Sequence, residues 1–176
     1  MEERGDDGFA FLSVAMDAQG SDAPRPYAEP TLGAFPTVLD AENMLGEAFG
    51  FKAIPNGVLI SADGRLDSAI AGGFEVRRGE TRELVERWLD TNAAEFPEDG
   101  QEHEWSEQAL RLFREAGAAV RRGERDGAIE LLKQAFPLEP DNYIIRKQLW
   151  AIEHPEKFYE GDVDYGWQKE QLEAGR

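Results

Sequence analysis

The chain has no cysteine among its 176 residues. That absence excludes a disulfide framework, a thiolate zinc site and a cysteine nucleophile. Histidine is almost as scarce, with only His103 and His154 present. No apolar run approaches the roughly 20 residues that a transmembrane helix needs. The opening Met-Glu-Glu-Arg-Gly-Asp-Asp lacks the basic and then apolar character of a secretory leader. As written, the sequence reads as cytoplasmic, an expectation that an upstream signal or anchor would change. Positive charge is also in short supply, since 19 Lys and Arg face 36 Asp and Glu for a formal net charge of -17. Such a surface repels phosphate backbones. The pairs Arg77-Arg78 and Arg121-Arg122 sit among acids, so nucleic acid is not an expected partner.

The composition does allow a core, because 41% of the residues are apolar and 10% aromatic. Residues 9–16, FAFLSVAM, form a short apolar run that stops at Asp17-Ala-Gln-Gly. Its length and its bounding turn residues predict a strand buried on both faces, of the kind found inside parallel sheets. Pro24, Pro26, Pro30 and Pro36 then forbid one regular helix, although residues 27–32 have room for a turn or two. A brief extended piece at residues 37–39 leads to Asp40, read as the N-cap of a helix over 41–49 that Gly50 ends. Asp63-Gly64 between the β-prone runs 58–61 and 66–71 predicts a hairpin. Thr81 is read as the cap of a helix over 82–92, with Leu84, Val85, Trp88 and Leu89 on one face.

Residues 93–104 are polar, contain Pro97 and Gly100, and read as a linker. Beyond them Ser106 caps a helix whose apolar face is Ala109, Leu112, Phe113, Ala116 and Val120, and Gly123 breaks it. A second helix is expected over 126–136 and a third over 141–153. The final stretch, with Phe158, Tyr159, Tyr165 and Trp167, is expected to pack back over these helices. The division is therefore 1–92, the linker 93–104, and a helical tail 105–176.

The first 90 or so residues resemble the later part of a thioredoxin-like domain of the TlpA/ResA and peroxiredoxin-related redoxin kind. The resemblance rests on four pieces in order: residues 9–17, FPTVLD at 35–40, AFGFKAIP at 48–55 and VLISADG at 58–64. It implies an α/β fold with a partial thioredoxin-like sheet and flanking helices. It also implies that the Ile54–Pro55 bond is cis and that Ile54 and Pro55 form a substrate-side loop. Asn56 stands where the family usually has threonine. The family's first strand and its Cys-x-x-Cys helix have no counterpart here, so the chain as written cannot be a thiol–disulfide oxidoreductase. In the family's sheet that strand lies between the partners of 9–16 and 58–61. Three arrangements would answer its absence. The cysteines are encoded upstream in a longer product; the open edges pair in a dimer or with another protein; or the two exposed strands sit side by side.

Residues 109–142 resemble one TPR unit, most clearly in Gly123-Glu-Arg-Asp-Gly-Ala-Ile-Glu-Leu-Leu-Lys-Gln-Ala-Phe-Pro-Leu-Glu-Pro-Asp-Asn. One unit is too short for a peptide-binding superhelix, so the tail is expected to be a structural cap. Two functions follow from these resemblances. The chain is either a fragment or degenerate version of a redox protein, or a non-catalytic protein-interaction module whose tail contacts a partner. A protein partner or a homodimer is expected.

Other constellations carry little chemistry. Glu102-His103-Glu104 reads as a solvated stretch rather than a metal site, and His154 as a helix-end residue. Ser13 and Ser61 have no histidine nearby in sequence, and the glycines form no phosphate loop. Asp17 and Asp40 read as capping residues rather than an acid/base pair. No cofactor and no metal are expected.

Overall fold

A computed structural model describes residues 8–31, 34–91 and 104–175, and its described residues mix helix with two small sheets. The expected linker lies outside them except for Glu104, as does His103. β1 (Ser13–Ala15) is followed by α1 (Arg25–Ala28), a 3-10 turn (Glu29–Thr31) and β2 (Thr37–Leu39). Then come α2 (Met44–Phe49), β3 (Gly57–Ile60), β4 (Leu66–Ile70) and α3 (Gly79–Thr91). The helical half holds α4 (Glu107–Arg121), α5 (Arg125–Ala135), α6 (Tyr143–Glu153) and α7 (Tyr165–Glu173), with 3-10 turns at Phe136–Leu138 and Pro155–Lys157.

β1 and β2 pair in parallel, with Val14 opposite Val38. β3 and β4 form the expected antiparallel hairpin, Gly57 opposite Ile70, around the Ser61–Arg65 turn. The two pairs are separate sheets. The arrangement in which β1 and a strand at 58–61 lie side by side is therefore not adopted. Residues 9–16 are also not a strand buried on both faces. Only Ser13–Ala15 is strand, and Leu12 and Val14 stay exposed. A strand is covered on both faces only when neighbours and overlying layers supply the cover, and among the described residues β1 has a single strand neighbour.

Two helix starts also differ from expectation. α2 begins at Met44 rather than residue 41, because Asn43 takes a left-handed φ of 55° and breaks the run. Asp40 still caps it from outside, its two carboxylate oxygens accepting the Met44 and Leu45 N–H groups at 2.8 Å each. α3 starts at Gly79, and its bond from Arg82 N–H to the Arg78 carbonyl places Thr81 inside the first turn instead of at the cap. Gly50, at φ 67°, ends α2 as its sequence position suggests.

The core sits in the helices. Ser106 caps α4 by accepting the Ala109 N–H, and Asn142 caps α6 by accepting from Ile144 and Ile145. Phe113, Ala128, Leu132, Ala135 and Ile145 are shut off from solvent, and Trp105 meets Phe113 edge to face at 5.7 Å. Ala18 and Phe51 from the sheet half join this same cluster. The last helix does pack back, since Trp167 lies edge-on to Trp150 at 5.7 Å and to His154 at 4.9 Å. The helices thus close a core of which the loops after β1 and α2 are part.

Candidate functional site

Among the described residues, three places stand out for their polar contacts or their exposed apolar surface. The first is the loop before β3. Its Ile54–Pro55 bond is cis, and both residues are exposed. Asn56 fixes the loop: its amide nitrogen donates to the Ala53 carbonyl at 2.6 Å and its oxygen accepts the Gly72 N–H at 2.7 Å. The Phe74 N–H also donates to the Pro55 carbonyl at 3.1 Å. Asn56 thus ties the loop to the segment after β4 with both ends of its amide. No side chain has room at Gly57, where the Phe74 ring occupies the space of a β-carbon.

The second place is the junction between the halves. Glu139, buried, accepts the Lys52 ammonium at 2.6 Å and the Ser106 N–H at 2.7 Å. The Trp105 indole donates to the Phe51 carbonyl at 3.1 Å, and the Ile144 N–H donates to the Lys52 carbonyl at 3.2 Å. Arg114 reaches Glu47 at 2.8 Å. The buried Ala18 N–H donates to the Gln148 side-chain oxygen at 3.1 Å. Beside it the Tyr159 hydroxyl donates to Asp17 at 3.0 Å and accepts from the Gln19 amide at 2.8 Å. None of these long-range contacts leaves a periodic or spacing signal in sequence, so sequence reasoning had no access to them. Asp17 is consequently not a helix cap. It holds the Gln19 turn with one oxygen, at 2.9 Å, and the C-terminal segment with the other.

Burial is the main influence on Asp17 and pushes its carboxyl above the usual aspartate range, against the lowering effect of its bonds to Gln19 and Tyr159. Tyr159 is pushed up as well, by burial first and by the Asp17 charge second. The folded chain therefore holds the Asp17 proton more tightly than the unfolded chain does. This contribution to stability is complete below the ordinary aspartate range and is lost as pH rises through the raised native value. Asp17→Asn has no such titration. Urea midpoints measured from acid to neutral pH are expected to show the native chain losing stability relative to Asp17→Asn as pH rises. Parallel pH profiles for the two would contradict the assignment.

The third place is the open surface of β1, β2 and α2. Phe11, Leu12, Val14, Val38, Leu39, Met44 and Leu45 are all exposed, with Leu12 at 55% and Met44 at 62%. Phe11 and Phe35 meet edge to face at 4.6 Å beside the strand pair. A second, smaller patch joins Ile60 to Leu66 at the closed end of the hairpin.

The remaining expected sites stay dispersed. Among the described residues Ser13 and Ser61 have no histidine partner, Ser61 instead binding Asp63 at 2.7 Å within its turn. His154 ends α6 and lies 3.5 Å from Glu156. Among the described residues no three His, Cys, Asp or Glu side chains converge to hold a metal. No helix among them is long and apolar enough to cross a membrane. No protein-family model, curated protein or solved structure matches the chain.

Proposed function

We propose that this chain is a cysteine-free relative of the redoxins that works as a non-catalytic protein-binding module, with its sheet half as the contact surface and its helical tail as a structural cap. The observation that carries this reading is the contrast between the two halves. The apolar faces of α4, α5 and α6 are spent on their own core and on Ala18 and Phe51. Those of β1, β2 and the start of α2 are left to solvent. Contiguous exposed apolar surface on a folded chain marks a place where another macromolecule binds. Ile54 and Pro55, exposed at the head of β3, belong to the same reading as a secondary contact loop. The tail thus acts on a partner only through the sheet half it supports, which departs from a module whose tail is itself the receptor.

The test is affinity capture of the tagged full chain from its own source, beside assays of insulin reduction and peroxide turnover. A stoichiometric protein partner is expected with the native chain. It should be lost with Leu12→Glu or Val38→Glu and kept with Arg111→Glu on the outer face of α4. Circular dichroism and urea midpoints of each variant separate loss of the partner from loss of the fold. Measurable disulfide or peroxide turnover by the purified chain, or loss of the partner only on the α4 substitution, would overturn the reading.

A further inference from the structure

The surface just described includes a strand edge, and the register identifies which backbone groups lie on it. The Ser13 N–H donates to the Pro36 carbonyl at 3.0 Å, and the Asp40 N–H donates to the Ala15 carbonyl at 2.8 Å. Ser13 and Ala15 therefore face β2. Successive residues of a strand present their backbone groups to opposite edges, so the N–H and C=O of Val14 point away from β2. Among the described residues no further strand pairs with β1, and the Leu12 and Val14 side chains are exposed. A two-stranded parallel pair is rare outside buried sheets, and an unpaired, apolar edge is a template for another strand.

Charge decides which strand. Between residues 8 and 51 six acids stand against the single basic residue Arg25, and although Arg114 pairs with Glu47 and Arg121 with Glu42, the chain as a whole carries -17. Arg25 is itself paired with Asp22 at 3.1 Å. A second copy of the chain would bring another charge of -17 to this edge, and like charges brought together oppose association. Resting on the protein-binding reading above, we propose that the β1 edge takes up an extended polypeptide segment of alternating apolar residues flanked by lysine or arginine, which adds as a third strand beside Val14. Main-chain bonds to Val14 supply the attachment, the exposed Leu12 and Val14 side chains select the apolar positions, and the net negative charge of the chain favours the basic flanks.

The probe is a labelled ten-residue peptide alternating valine and threonine, with two lysines at each end. Companion peptides carry glutamate ends, or N-methyl groups on the backbone nitrogens of one edge. Fluorescence anisotropy against the native chain is expected to show binding by the lysine-ended peptide, weakening with added salt. The glutamate-ended peptide should not bind, and N-methylation should weaken binding at least about tenfold. Val14→Pro removes a donor that β2 does not use, so the β1–β2 pair is retained and peptide binding falls about tenfold or more. Because the peptide series uses the native protein, it decides the matter even if Val14→Pro fails to fold. Equal binding by all three peptides, or no binding by the lysine-ended one, overturns the proposal. So does a dimer in solution with Val14 at its interface. A partner captured through Leu12 and Val38 but indifferent to Val14→Pro would sink this inference while leaving the protein-binding reading intact. No Leu12-dependent partner at all would sink both.

Discussion

Phe113→Ala is expected to cost about 3–5 kcal/mol, the range for emptying a fully buried phenylalanine site. Phe113 has no solvent exposure and holds the Trp105 ring edge-on, while the Trp105 indole in turn binds the Phe51 carbonyl. The lost volume lies where α4 meets the segment joining α2 to β3. Both halves should therefore weaken together. The check is urea denaturation followed in parallel by far-ultraviolet circular dichroism and by tryptophan fluorescence. A single coincident transition, shifted to lower urea, is the expected outcome. Two separated transitions, with only the helical one moved, would show that the sheet half is stabilised without the helices.

The second large effect belongs to Glu139. Its carboxylate meets the Lys52 ammonium and the Ser106 N–H in a nearly dry place, with side-chain exposures of 9% for Glu139 and 21% for Lys52. Glu139→Ala strands a partly buried ammonium and leaves the Ser106 N–H without its acceptor. The expected loss is about 2–3 kcal/mol, less than for a wholly buried pair because Lys52 keeps some contact with water. The double variant Glu139→Ala with Lys52→Met should recover much of it, since no unpaired charge then remains. A cycle of four urea midpoints measures this coupling. Additive losses would mean that the pair does not act as a unit.

How far the sequence discloses these features depends on what each one is made of. The Asp63-Gly64 hairpin, the Ser106 cap and the stops at Gly50 and Gly123 are local, and each is set by a residue that favours one backbone geometry. The helical core was legible because Ala109, Phe113 and Ala116 repeat at the helical period. β1 was misread because hydrophobicity along a strand does not report how many neighbours the strand finds. FAFLSVAM has the composition of an interior strand but, among the described residues, one strand neighbour and exposed side chains. Thr81 was misread because a capping residue type two positions inside a helix is indistinguishable by type from one at its start. The Asp17–Tyr159 bond joins residues 142 apart, and no local pattern encodes it. Of the proposed site, the Ile54–Pro55 loop could be named from sequence, whereas the open edge at Val14 required the strand register.

Residue-resolved amide hydrogen exchange on the free, full chain tests the central claim most directly, because it separates the closed core from the open edge in one experiment. The account predicts that the Ala18 and Ile144 N–H groups, bonded to Gln148 and to the Lys52 carbonyl, exchange only on global unfolding. The Val14 N–H should exchange at a rate close to that of an unstructured amide. Strong protection at Val14 in the free monomer would contradict the account, because the edge would then already be occupied.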